Sequence, residues 1–437
     1  MKRKLKDSVI IGLALFAMFF GAGNLIFPPQ IGVEAGSLWK EAAFGFFLTG
    51  IGLPLLGIFA AVKGGEALKN FQPKVGKAVI MTFSIVVALT LSFVAIPRTG
   101  ATTHEMGFSM FFTEMPAILS SIIFFTITLA LAYKPTGIID RIGKFLTPVL
   151  VLMLGTIIVK GIIDPINVPE ATTATSNTFT TGFLGGYQTM DALGALIFGG
   201  IVLNTFREKG YTKLNEQLKM TAISGGIAAL GLGLVYGGLM YLGSTTVGVI
   251  SPDVPKTTLT VLISSLLLGR TGTWMLGIGV SFACLTTSVG LVATIADFFS
   301  DISKGKLRYE WTVMVLCSVS AFIAVLGVDG IVSVAGPILV VVYPIAILLI
   351  TFILIDKLVN KPVVYKTTIV TAFTFSLLQG FSEAGIFATS INNALSQIPF
   401  NDVGFPWLIP AVTAFFLSYT FTLFMPTTRA RQAQARR

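Results

Sequence analysis

The sequence predicts an all-α, polytopic membrane protein with 12 transmembrane helices, and three observations carry that prediction. Hydrophobic residues make up 54% of the chain and charged residues only 11%. Apolar windows of about 20 residues, the length needed to cross a bilayer, recur from one end to the other. Lys and Arg collect in the short stretches between them. The formal charge of +10 raises the question of nucleic acid, but the basic residues do not line one helical face. They orient the chain in the lipid bilayer, and neither a nucleic-acid partner nor an obligate protein partner is expected.

The expected spans are residues 8–32, 41–62, 76–99, 116–133, 143–163, 181–206, 218–242, 272–299, 311–326, 331–355, 363–379 and 405–425. With a cytoplasmic N-terminus, only Lys40, Arg98, Lys160, Lys256 and Arg270 of the 30 Lys and Arg residues escape the inner stretches, among them Lys134 and a basic tail of Arg429, Arg431, Arg436 and Arg437. The positive-inside rule then puts both termini in the cytoplasm and fits an even number of spans. The opening Lys2-Arg3-Lys4-Leu5-Lys6 imitates a signal peptide, yet the apolar run continues through Phe27, so the first span reads as an uncleaved start signal.

Span 1 contains its own interruption at Gly21, Gly23, Asn24, Pro28 and Pro29. Glycine costs roughly 1 kcal/mol in a helix interior, and in hydrocarbon each backbone group freed from the ladder needs another partner. Two glycines leave the backbone bare, so a small ligand can approach the amides of Gly21, Ala22, Gly23 and Asn24. The alternative is a glycine-lined helix contact ended by a proline stop at the outer surface.

Span 3 ends near Arg98, about 20 residues from Lys77 and so near the outer boundary. There Arg98 faces a vestibule, pairs with Glu105 or snorkels to headgroups. His104, the single histidine, reads as a solvated outer-loop residue. Span 6 breaks at Gly182, Gly185 and Gly186 and carries Tyr187, Gln188, Thr189 and Asp191. A carboxylate near the bilayer midplane costs several kcal/mol unless paired or wetted, which marks a functional group. Asp191 or Thr189 as a plain helix cap is the competing role.

Spans 1 and 6 are five apart and so run in opposite directions. Paired glycine-broken spans at corresponding places in two inverted halves point to a transporter's central site. The apolar stretch 257–268 is too short to cross and reads as an external re-entrant or surface hairpin. Span 8 then supplies Thr286, Thr287 and Ser288 in succession. Such hydroxyls bond back to their own helix, or they coordinate a hard monovalent cation such as sodium together with carbonyls freed near Ala17 and Phe20.

Other classes find little support. Cys284 and Cys317 sit in apolar spans without metal-site spacing, and one histidine cannot build a cluster. No HExxH pair or hydrolase nucleophile elbow is present, so no enzyme is expected. A channel would call for a filter-like motif, which is also missing.

The segments FGAGNLIFPP, AIPRTG, GGYQTMDALG and ACLTTSVG, in this order along nearly the whole chain, resemble the bacterial branched-chain amino acid carrier family. The resemblance implies sodium-coupled symport of leucine, isoleucine and valine across the bacterial cytoplasmic membrane. It also implies a leucine-transporter-like fold: a 5+5 inverted repeat with helices 1 and 6 broken, plus two C-terminal helices. The corresponding segments are 1–165, 166–357 and 358–437, the last including the basic tail. By the same resemblance, substrate contacts fall at Gly21, Ala22, Gly23 and Asn24, with Tyr187, Gln188, Thr189 and Asp191 as neighbours. Sodium ligands fall at the carbonyls of Ala17, Phe20 and Ala283 and the hydroxyls of Thr286 and Thr287. Residues 222–242 lack the asparagine that some relatives use for a second ion, so one sodium site is expected.

Overall fold

The computed structural model describes residues 2–64, 67–133, 138–172, 177–251, 253–359 and 361–424, and among these every regular element is helical. Lys134 and the tail arginines Arg429, Arg431, Arg436 and Arg437, on which the expected orientation partly rests, lie outside the described residues. In order, the helices are α1 (Lys2–Phe19), α2 (Ala22–Ala35), α3 (Trp39–Phe47), α4 (Leu53–Gly64), α5 (Ala67–Val75), α6 (Lys77–Thr90), α7 (Ile96–Thr103), α8 (Ser109–Phe111), α9 (Ala117–Ala132) and α10 (Ile138–Ile163). They continue as α11 (Thr178–Tyr187), α12 (Asp191–Glu208), α13 (Leu214–Ser244), α14 (Lys256–Ile302), α15 (Tyr309–Ile323), α16 (Gly327–Val359), α17 (Pro362–Glu383), α18 (Ala388–Leu395) and α19 (Leu408–Phe424).

Among the described residues, five helical runs are long and apolar enough to cross a membrane, and a bent pair within 178–208 makes a sixth. Some runs hold more than one expected span: Tyr309–Val359 covers the ninth and tenth, separated where Gly327 takes φ +75°. Leu230, Leu234 and Phe322 are more than 70% exposed, a pattern that water penalises and lipid does not.

The described residues form two compact units. One comprises Met1–Val62 and Val86–Ala335; the other comprises Lys63–Ile85 and Gly336–Arg437. In the first, α13 receives α1 and α2 at glycines. A Cβ at Gly12 would stand 2.8 Å from the Ser224 carbonyl, and one at Gly32 would overlap the Met240 carbonyl. Gly243 meets Pro29 in the same way, and Gly182 of α11 meets the Ala42 backbone of α3. Small residues let backbones touch where lipid offers no hydrophobic drive between helices. In the second unit, Lys74 donates to both Asp356 oxygens at 2.6 Å and Tyr365 donates to the same carboxylate at 3.1 Å. The rings of Phe71 and Phe352 pack on Tyr365.

Four expectations are corrected. Pro28 and Pro29 do not stop the first span, because α2 runs through both to Ala35 and ends at Gly36, φ +53°. Proline's fixed φ is helical, but it lacks the donor and its ring crowds the carbonyl four residues back. Pro29 therefore leaves the Leu25 carbonyl unserved, and the Thr260 hydroxyl donates to it at 3.4 Å. The stretch 257–268 is a short helix of its own, set against the rest of α14 by a sharp turn at Gly269, φ +59°, where a Cβ on Gly272 would overlap the Ser264 carbonyl. The expected short re-entrant element is present, but it buries Thr257, Leu259, Thr260, Ile263 and Leu267 instead of lying on the surface.

The third span does not end at Thr99. It continues through π-turns at Leu91–Ala95 and His104–Phe108 to Phe111, so Arg98 lies within the helix instead of at its outer edge. His104 accordingly sits in the helical run, 2.8 Å from the Ser120 hydroxyl. Glu105 is engaged elsewhere, accepting from the Thr257 hydroxyl at 2.7 Å and the Val328 amide at 2.8 Å. Cys284 and Cys317 are free and buried.

The start of α1 is tied down by polar side chains. Tyr211 donates to Asp7 at 2.7 Å, Lys209 lies 3.5 Å from the other oxygen, and Lys4 donates to Glu216 at 2.8 Å. The Tyr211 hydrogen bond holds the Asp7 carboxyl below its usual range, with Lys209 and Arg3 adding to the effect against desolvation. A depressed folded-state pKa contributes stability above the unfolded value of 3.8, and that contribution is lost as pH falls through the folded pKa. Asp7→Asn is thus expected to melt below wild type at neutral pH and to converge with it only as pH falls below the unfolded value of 3.8 and through the lowered folded one. Thermal unfolding in detergent across that range checks this, and a constant gap would contradict it.

Candidate functional site

The two glycine-rich interruptions are real breaks, and they face each other. Between α1 and α2, Gly21 adopts an extended conformation, φ −114° and ψ −168°. Its amide, which a continuing helix would aim at the Ala17 carbonyl, donates instead to the Phe19 carbonyl at 3.2 Å and to Asn24 Oδ1 at 3.1 Å. The Asn24 amide, which a continuing helix would aim at the Phe20 carbonyl, turns to the Gly21 carbonyl at 3.2 Å. The Phe20 carbonyl is thereby released, and the Thr287 hydroxyl donates to it at 3.3 Å. Between α11 and α12, Met190 takes the left-handed conformation, φ 62°, and the helix restarts at Asp191. The Thr189 hydroxyl donates to the Gly186 carbonyl at 2.9 Å and accepts from the Asp191 amide at 3.4 Å. Thr189 thus takes part of the capping role open to it.

Asn24 joins the breaks. Its side-chain amide donates to Asp191 Oδ2 at 2.6 Å and to the Tyr236 hydroxyl of α13. Asn24 is 1% exposed, so these partners replace water completely. The Asn24 side chain is consequently committed to holding the site together.

Around this knot lies a cavity of about 30 Å³. Gly21, Ala22, Gly23, Asn24, Thr189 and Asp191 all line it, and so does Thr287. Tyr187 and Gln188, nominated beside them, do not. Tyr187 is buried with its ring 5.6 Å from that of Phe183, and Gln188 contributes its backbone carbonyl to Arg98. The remaining wall includes Met18, Leu91, Ala95, Thr99, Leu291 and Arg98. Arg98 is the chief residue missed by sequence reasoning. Its Nη1 donates to the Gln188 carbonyl at 2.7 Å, its guanidinium lies 5.5 Å from the Phe27 ring centre, and it is 3% exposed. The signal was present, since a cation inside an apolar run marks a functional position.

The geometry also revises the purpose of the glycines. A Cβ at Gly21 would press on Thr287 at 3.2 Å, and one at Gly23 would stand 2.7 Å from Arg98 Nη2. The bare backbone is filled by the protein's own side chains at both points.

The residues nominated for a cation form two hydrogen-bonded pairs: the Thr287 hydroxyl donates to the Phe20 carbonyl at 3.3 Å, and the Thr286 hydroxyl donates to the Ala283 carbonyl at 2.9 Å. Hydroxyl and carbonyl oxygens are the ligand type that hard cations take.

Comparison with known proteins agrees with this architecture. The family described as branched-chain amino acid transport protein matches residues 4–425. The branched-chain amino acid permease BraB of Bacillus subtilis is 38% identical, with 96% of each chain covered. The permease BrnQ of the same organism is 36% identical over 98% of this chain and 100% of its own. Among solved structures, the nucleobase-cation-symport-1 family transporter MHP1 superposes with a TM-score of 0.61 at 14% identity, covering 97% of this chain and 95% of its own. MhsT in complex with L-phenylalanine gives 0.59 at 16%, covering 94% and 98%. At such identities these two show a shared transporter fold. With the match running almost end to end, the chain belongs to the branched-chain amino acid transport protein family.

Proposed function

We propose that the protein imports leucine, isoleucine and valine by symport with sodium, through alternating access in the cytoplasmic membrane. The observation that carries this reading is the meeting of two broken helices at one buried cavity, with the Thr287 hydroxyl on the carbonyl that the first break releases. In this reading the chain crosses the membrane 12 times with both termini inside. Residues 1–165 and 166–357 form the inverted repeats, and 358–437 add two spans and the tail.

The residues act in a simple sequence. The first-turn amides of α2 at Ala22 and Gly23 face the carboxylate of a zwitterion, where the helix dipole favours negative charge. Asp191 faces the ammonium. Met18, Leu91, Ala95 and Leu291 give the branched side chain an apolar wall. One methylene alters affinity by only about 1–3 kcal/mol in such a wall, so overlapping use of the three amino acids follows. A bound sodium ion supplies positive charge shared by the α1 break and α14. Phe20, Ala283, Thr286 and Thr287 hold the two helices in register around it.

Uptake of labelled leucine into proteoliposomes, with and without an inward sodium gradient, tests the coupling. Equal rates would remove sodium. Thr287→Ala is expected to raise the sodium concentration for half-maximal uptake about tenfold, about 1.4 kcal/mol, because one ligand is gone. Unchanged sodium dependence in that variant places the ion elsewhere.

Asp191 supports a second reading. A carboxylate 8% exposed at the cavity wall can carry a transported proton. A proton-coupled carrier of another small neutral amino acid would show uptake driven by an inward pH gradient without sodium.

A further inference from the structure

We propose that Arg98 makes the cavity select zwitterions: its guanidinium takes the substrate carboxylate beside the first-turn amides of α2, while Asp191 takes the ammonium. This rests on the amino acid transport reading and adds a specificity-determining residue to it. Both side chains line the same cavity, and both are more than nine-tenths buried, Arg98 at 3% exposure and Asp191 at 8%. A buried arginine is charged at any working pH, so the site always offers a positive group.

Position and rigidity make Arg98 suited to a carboxylate. Nη1 is anchored on the Gln188 carbonyl at 2.7 Å, inside the second break, and the guanidinium rests against Phe27. Nη2 lies so close to Gly23 that a Cβ there would come within 2.7 Å. The fork is thus fixed beside the start of α2 before any ligand arrives, and preorganisation reduces the entropy lost on binding. Planar guanidinium matches a carboxylate with parallel N–H donors, which an ammonium cannot do. The second group is oriented as well, since Asn24 donates to Asp191 at 2.6 Å. Charges of opposite sign on one small cavity suit a molecule that bears both.

Competition for labelled leucine on the purified full chain tests the assignment. The competitors are leucinamide, which lacks the carboxylate, and 4-methylpentanoate, which lacks the ammonium. Wild type is expected to prefer leucine over leucinamide by about 100-fold or more, because the guanidinium and the first-turn amides of α2 both attract the charge that leucinamide lacks. In Arg98→Gln that preference should fall to about tenfold or less, with the preference over 4-methylpentanoate kept. Arg98→Lys should weaken leucine binding while leaving the charge preference largely in place.

A purely structural strap would lower affinity for leucine and leucinamide together, leaving their ratio unchanged, and that result overturns the proposal. If Arg98→Gln does not fold, wild type alone decides: equal competition by leucine and leucinamide overturns it. Failure of wild type to bind or carry leucine would instead strike the transport reading itself, so the two failures are distinguishable.

Discussion

Asn24→Ala is expected to abolish transport while leaving a folded but weakened protein. The substitution removes the donor to Asp191 and Tyr236 and the acceptor for the Gly21 amide in one step. Deleting one partner of a buried hydrogen-bonded cluster costs about 1–3 kcal/mol for each group left unsatisfied, because that group stays buried without compensation. Both breaks then lose their common link, and a displacement of about 1 Å in a binding site reduces rates about 100-fold. Leucine uptake should drop by at least about that factor. Asn24→Asp should do no better, since it sets a second carboxylate where a donor stood. Near-normal uptake by either variant would show that the knot is incidental to the site. Thermal unfolding of the same samples separates lost stability from lost function.

Gly243→Val is expected to prevent assembly of the first unit. The added side chain would overlap the Pro29 carbonyl, and backbone cannot rotate away as a side chain can. Gly32→Val, opposite Met240 on the same helix pair, should behave alike. Backbone overlaps belong to the mutations that cost more than about 4 kcal/mol. Gly226→Ala on the same α13 is the control, because its Cβ would meet nothing within 4 Å. Size-exclusion profiles in detergent should show aggregated or absent protein for the first two and a normal peak for the control. Normal profiles for all three would mean that α2 can move away from α13 at little cost.

The parts legible in the sequence were those where local chemistry contradicts its surroundings. Gly21 and Gly23 in an apolar run, Gly185 and Gly186 before Asp191, and hydroxyls at Thr286 and Thr287 all violate the pattern of a plain membrane helix. Gly21, Gly23, Asp191 and Thr287 line one cavity, whereas Gly185 and Gly186 pack against Ile31 and Thr49. What escaped were the partners. Tyr236 is an aromatic residue in an apolar span and carries no local signal, yet it takes a bond from Asn24. Arg98 was misplaced because a count of about 20 residues assumed a helix of bilayer length, whereas the run from Lys77 extends 35 residues with π-turns inside. Thr260 was hidden in a stretch too short to cross, and its bond to Leu25 depends on a proline elsewhere in the chain.

The cavity's size has a consequence for turnover. About 30 Å³ is a small fraction of the roughly 300 Å³ or more that ligand pockets usually offer. A leucine side chain cannot enter until the walls part. Asn24 bonds to Asp191 and Tyr236 beside the chamber, so those links lie between the substrate and its place. Each turnover thus has to begin by making room that the resting site lacks.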